Sequence, residues 1–453
     1  MMRALFAGVS GLRNHQVRMD VIGNNIANVN TVAFKSSRVT FAESFNQLIQ
    51  GATRPPSNSG GRNPTQIGNG MNIASIDTLL AQGTIQATGV KTDVAISGDA
   101  YFVVKGNGKT LYTRAGNFQF DANGRLVAPS NGFIVQGINA DALGNFSSSS
   151  AVTDIDLTLN RKSPARATQA LSLAGNLNLS QRITATSPAT VSEPHQMSIT
   201  VYDTAGQAHN LVMTFSQVFV AGPPVAPNNT WTYSITSATS KVEGIDNNAV
   251  PATGLLDANQ GLVTFNASGQ LVDFGNGLVS LSAGAVKLRI SPNSGGTAFD
   301  VTLNPGSVNG INGLSQFANP SNAVFTAQDG YTSGDLQDIT IDSTGVITGF
   351  YTNGVSRPVA QMSLASFNNP TALLRRGDNM FEPSSNSGVP VLGFSGTSQT
   401  STITSSALES SNVDLSEQFT EMITAQRGFQ ASAKVITTAD EMLTDIRSEG
   451  YLK

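Results

Sequence analysis

Cysteine is absent from all 453 residues. That excludes disulfides and cysteine-based zinc sites. Charge is scarce: Asp, Glu, Lys and Arg make up 12 % of the chain, about half the share of roughly 25 % usual in soluble domains. Gly, Ser, Thr and Asn stand in its place and favour strands, turns and hydrogen-bonded surfaces. A surface this weakly charged repels copies of itself little, which suits a packed polymer. With a net charge of −4 and no Lys/Arg cluster, nucleic acid is not expected as a partner. No apolar run approaches the roughly 20 residues that a membrane span needs. Met1 to Val9 carries one basic residue and its apolar stretch is soon broken by polar residues, unlike a Sec-type leader. Export, if it occurs, needs a route that cleaves no signal. One tryptophan, Trp231, and seven scattered tyrosines leave little material for an aromatic carbohydrate groove.

A chain of this length points to two to four domains. Its ends read as helix and its middle as strand. Within 2–28, Leu5, Val9, Leu12, Met19 and Ile26 recur at helical spacings on one face, with Gly8, Gly11 and Gly23 weakening the helix. Residues 412–447 form a longer helix, capped by Asn412 or Asp414, with Glu417 in its first turn and Gly450 near its end. Its seam is Leu415, Phe419, Met422, Gln426, Phe429, Ala433, Ile436, Asp440 and Leu443, a heptad pattern. Between the ends, Val94-Ala95-Ile96, Tyr101–Val104 and Phe118-Gln119-Phe120 read as strands, and Asp121-Ala122-Asn123-Gly124 and Asp342-Ser343-Thr344-Gly345 as hairpin turns. The block 162–327 holds strands such as Gln196–Asp203 and Asn210–Val220, with Pro- and Asn-rich loops at 222–224 and 227–229. A further loop rich in Pro, Gly, Ser and Asn covers 51–66.

Neither end has a core of its own. The first 28 residues are net basic (Arg3, Arg13 and Arg18 against Asp20), and 408–453 is net acidic. Pairing the two helices is the simplest way to bury both apolar stripes. One pair offers little apolar area against the entropy of ordering both segments. Two readings stay open: ends that gain order only among many copies, or a helical hairpin docked on the β domains.

The run Gly23-Asn24-Asn25-Ile26-Ala27-Asn28-Val29-Asn30-Thr31-Val32-Ala33-Phe34-Lys35 resembles the N-terminal signature of the flagellar rod and hook axial protein family. Leu408-Glu409-Ser410-Ser411-Asn412-Val413-Asp414, then Met422 through Gln426, Arg427, Gly428, Phe429 and Ala431, resemble its C-terminal motif. Thr113–Phe118, Gly124 and Gly132–Gly137 look like its first β domain. The resemblance covers 1–160 and 328–453. It implies a mainly β fold with α-helical termini: paired, coiled-coil-like terminal helices plus two stacked β domains, the outer inserted in the inner. The expected division is 1–30 with 408–453 as the helical inner-tube domain, 31–75 with 400–407 as an extended connection, 76–161 with 328–399 as the first β domain, and 162–327 as the outer one.

The resemblance further implies a structural, non-enzymatic subunit without cofactor or metal. It would pack with itself through Leu5, Val9, Leu12, Met19, Ile26, Leu415, Phe419, Met422, Phe429, Ile436 and Leu443. Its other partners would be the rod, hook-cap and hook–filament junction proteins and the flagellar type III export apparatus. The insertion at 162–327 favours a curved hook-type tube over a distal rod, whereas the long segment 42–70 resembles an insertion of straight distal rods. The covalent cross-link of some hooks needs cysteine, which this chain lacks.

Other motifs carry less. Arg376-Gly377-Asp378 spells an adhesion tripeptide but reads as a turn. His15, His195 and His209 lack metal-ligand spacing. Asp154/Asp156 and Asp338/Asp342 resemble paired glycosidase acids only in residue type. Gly106-Asn107-Gly108-Lys109 lacks the spacing of a phosphate loop and fits a hairpin turn.

Overall fold

Period-two residues in the middle and helix-period residues at the ends give a chain that is mainly β with one helix at each end. The computed structural model describes residues 2–55, 60–141, 143–147, 151–180, 193–217, 229–245, 260–275, 286–396 and 400–450. The proline-rich loops at 222–224 and 227–228, and the end of the strand expected at 210–220, lie outside them. Two compact units result: Met1–Asn160 with Ile339–Gly349 and Arg357–Lys453, and Arg161–Asp338 with Phe350–Ser356. Lys162 and Ser163 pair with Asp335 and Gly334, so residues 328–338 sit with the second unit.

In the first unit, helix α1 (Met2–Ala27) leads into an antiparallel ribbon. Strand β1 (Ser37–Glu43) pairs with β4 (Met71–Thr78), and β2 (Asn46–Gln50) with β3 (Thr65–Gly68). The extended connection expected at 31–75 is therefore hydrogen-bonded to itself, and Thr53 bridges Arg62 across the region read as a loop. The main sheet runs Ser356–Met362, Ile134–Asn139, Tyr101–Gly106, Lys109–Thr113, Met380–Glu382, Leu374–Arg375. One face is filled by Tyr101, Val103, Tyr112, Phe367, Leu373 and Phe381, whose rings meet edge to face. The chain returns through strands Thr402–Ser405 and Ala407–Glu409 and ends in helix α2 (Leu415–Gly450).

The second unit is a sandwich. A five-stranded antiparallel sheet runs His195–Tyr202, Ala208–Gln217, Thr230–Ser237, Gln260–Phe265, Leu271–Gly275. Its strands alternate buried and half-exposed residues, as a sheet with one covered face must. A second sheet centred on Ala170–Asn178 supplies the opposing layer. Trp231, Phe215, Phe274, Leu171, Ile290 and Val301 share one core, each fully buried.

Hairpin turns recur with one chemistry in both units. Asp121, Asp141, Asp203, Asn266 and Asp342 each accept, at the side-chain Oδ1, the backbone N–H groups two and four residues on. A glycine follows three residues after each, left-handed as at Gly124 (φ 76°), the conformation that closes such turns. These hydrogen bonds hold the carboxyls of Asp121 and Asp141 below the usual carboxylate range.

Candidate functional site

The two terminal helices touch along an antiparallel seam. A Cβ on Gly8 would lie 2.8 Å from Ile436 Cγ1, and one on Gly11 2.6 Å from Ser432 Oγ. A Cβ on Gly428 would lie 2.5 Å from the ring of His15. Arg18 pairs with Glu421 at 3.4 Å, and buried Asn25 donates through Nδ2 to Gln418 Oε1 at 2.9 Å. The contacts on α1 at 8, 11, 15, 18 and 25, with buried Ile22, step by three and four residues. Those on α2 at 418, 421, 428 and 432, with buried Ala425, do the same. This is heptad packing, mostly by small and polar residues that let the backbones approach, with Ile22 and Ile436 as its large apolar members.

The expectation that the large apolar stripes face each other within the pair is corrected by this seam. Val9 (43 % exposed), Leu415 (40 %) and Phe419 (51 %) are open. Leu5, Leu12, Met19, Ile26, Met422, Phe429, Ile436 and Leu443 are half-buried. Phe6, Ile423, Val435, Met442 and Ile446 were not singled out from the sequence and are exposed as well. Gly8 and Gly11, read as helix weaknesses, are positions where an added Cβ would collide with α2. The signal lay in their three-residue spacing.

The Asn-rich run builds an anchor after α1. Asn24, Ala27 and Asn30 face solvent. Asn28 donates to Asn24 O and accepts from Thr31 Oγ1, closing the helix end. Asn25 holds both the N–H and the C=O of Ser37. From Val32 to Ser36 the backbone is irregular yet fastened. Val32 O accepts from Asn379 Nδ2 at 2.7 Å, and Lys35 O from Arg375 Nη2 at 2.6 Å. Ala33 N–H donates to Glu409 O, Ser36 N–H to Asn412 Oδ1, and Ser36 O accepts from Leu79 N–H. Phe34 is buried under the Arg375 guanidinium, 5.5 Å from the ring centre. Arg376-Gly377-Asp378 belongs to the left-handed turn that presents Asn379. Of the two proposed caps for α2, Asp414 does the capping, accepting from Ser416 and Glu417 N–H, and Asn412 serves the anchor.

Lys35 ends this run in a buried ion cluster. Its Nζ meets Glu409 Oε1 at 2.6 Å, and Arg114 Nη2 meets Glu409 Oε2 at 3.1 Å. The side chains of Lys35, Arg114 and Glu409 are 3 %, 4 % and 0 % exposed. Glu409 Oε1 also accepts from Gly83 N–H. Burial pushes the Lys35 ammonium down, an effect opposed by Glu409 and reinforced by Arg114. Glu409 and Arg114 were quoted in sequence motifs without a role, because nothing in one dimension joins positions so far apart.

Gln426 and Arg427 are exposed on α2. Gly106–Lys109 is a hairpin turn with Asn107 and Gly108 left-handed. Asp154 accepts from Gln136 Nε2 and Asp156 from Thr158 N–H, as turn and strand carboxylates do. Among the described residues no three His, Asp or Glu side chains are grouped to hold a metal. No described helix is long and apolar enough to cross a membrane.

Two paired ends with a hydrogen-bonded anchor, in a chain whose β units carry their own cores, define an architectural type of protein. Family models agree along the chain: "Flagella basal body rod protein" at 5–35, "Flagellar hook protein FlgE/F/G D1 domain" at 95–184, "Flagellar basal body protein FlaE D2 domain" at 176–331 and "Flagellar basal body rod FlgEFG protein C-terminal" at 404–448. The flagellar hook protein FlgE of Treponema pallidum is 41 % identical over 99 % of this chain and 99 % of its own. That of Borreliella burgdorferi is 38 % identical over 98 % and 99 %. The flagellar basal-body rod protein FlgG of Bacillus subtilis is 46 % identical, but over 32 % of this chain and 54 % of its own. The chain belongs to the flagellar hook protein family.

Proposed function

We propose that this chain is the structural subunit of the flagellar hook, polymerising into a curved tube that joins rod to filament and passes torque between them. It acts without enzymatic chemistry. The observation that carries the reading is the exposed row Leu415, Phe419 and Ile423, four residues apart on α2, with Phe6 and Val9 exposed on α1. Apolar side chains left in water on an otherwise well-paired helix are surface for further copies. Leu5, Leu12, Met19, Ile26, Met422, Phe429, Ile436 and Leu443, half-buried in one chain, would be covered fully between neighbours. The helices would line the tube, the sheet of the first unit would form the next layer, and the sandwich would lie outermost.

The rod, hook-cap and hook–filament junction proteins are the partners this position implies, and type III export the route. A distal-rod subunit is the second reading, favoured by the long β1–β4 ribbon. The rod relative matches under half of the chain, whereas the D2 model spans the sandwich, which favours the hook. Electron microscopy of the purified, assembled protein tests the choice: curved tubes support the hook, straight tubes the rod, and no polymer under any assembly condition rejects both.

A further inference from the structure

An irregular segment between a helix and a ribbon is ordinarily a hinge. The segment after α1 is built as the opposite. Its Ser36 N–H and its Val32 and Lys35 carbonyls are taken by the side chains of Asn412, ahead of α2, of Asn379 and of Arg375, its Ala33 N–H and Ser36 carbonyl by the backbone of Glu409 and Leu79, and Ala33 is held left-handed (φ 56°) at 2 % exposure. A non-glycine residue keeps that conformation only where its surroundings over-determine it. At its centre one carboxylate serves three parts of the chain: Glu409, on the returning strand, binds Lys35 of the segment, Arg114 of the sheet and the N–H of Gly83. A buried ion cluster is a poor way to gain stability compared with apolar residues of equal size. Its demand is geometric, since the ions tolerate burial only in contact.

We propose that Lys35 and Glu409 are positioning residues, which lock the root of the terminal helix pair and the sheet of the first unit into one rigid body. If the chain builds a hook tube, on which only this consequence rests, the bending of the tube is taken up elsewhere than at this joint.

The absence of cysteine makes the test direct, because introduced cysteines label the full-length chain without background. Spin labels at Ala27→Cys, on the exposed end of α1, and Lys109→Cys, on an exposed sheet hairpin, report the joint. Lys35→Met keeps the apolar stem and leaves Glu409 paired with Arg114, so the sheet retains a neutral ion pair. The unaltered chain is expected to give one narrow distance distribution and slow hydrogen exchange at amides 33–37. In Lys35→Met the distribution should at least double in width, and those amides should exchange about tenfold faster or more, a loss of about 1.4 kcal/mol of local protection. Exchange within Tyr101–Gly106 should stay unchanged. Glu409→Gln should widen the distribution further. A distribution that stays narrow in both variants overturns the proposal. So does loss of Tyr101–Gly106 protection in Lys35→Met, which would make the cluster a piece of the core and not a joint. Tubes of Lys35→Met should lose uniform curvature. If the unaltered chain forms no tube, the assembly reading fails while the exchange data still decide the joint.

Discussion

The sandwich and the terminal helix pair solve the same problem in opposite ways. The sandwich closes on itself: Trp231, Phe215 and Phe274 are fully buried and two sheets share one core. The helix pair closes on Gly8, Gly11, Gly428 and Ser432 and leaves Phe6, Phe419 and Ile423 in water. Large side chains fill the core of the sandwich, and in the helices several of them face water. The low charge of the chain fits the second arrangement, since long-range repulsion does not hold copies apart.

The contrast breaks most completely by removing one half of it. Deleting 412–453 should abolish sedimentable polymer, while Trp231 emission shows the sandwich melting at its usual denaturant concentration. Trp231→Ala should destabilise the sandwich by about 3–5 kcal/mol in denaturant titration. Phe419→Ser with Ile423→Ser should change single-chain stability by no more than about 0.5 kcal/mol, yet prevent assembly in a pelleting assay. Gly8→Val should cost the helix pair about 1–3 kcal/mol by overpacking, partly offset by the higher helix propensity of the new residue, read as loss of helical circular dichroism at lower temperature.

The smallest effect is that of pH. Burial, then Arg18, holds the His15 imidazole below its ordinary value of 6.5. The ring packs beside Gly428 and edge-on to Phe41. A base with a depressed folded pKa favours the neutral form, so its site is most stable above about pH 6.5 and weakens as pH falls from there toward the folded pKa. In the assembled polymer, where α1 is protected, its exchange should quicken over that window, and His15→Gln should remove the change.

Much of this was legible in sequence. Period-two runs and Asp-x-x-Gly turns marked the sheets, because strand alternation and Asx hydrogen bonds are local. Both helices were legible for the same reason. Which face of each helix meets the other was not: hydrophobicity drew attention to Leu415 and Phe419, whereas close approach selected glycine and serine. The ribbon at 37–78 was read as extended but not as paired, its register being a relation between distant residues. The cluster of Lys35, Arg114 and Glu409 was hidden for that reason too.

Hydrogen exchange resolved along α1 and α2, compared between dilute single chains and assembled polymer, tests the division most directly. Amides 2–21 and 422–447 should exchange quickly in the dilute chain and become strongly protected in the polymer, while the sandwich is protected equally in both. Full protection of both helices in the dilute chain would contradict the account.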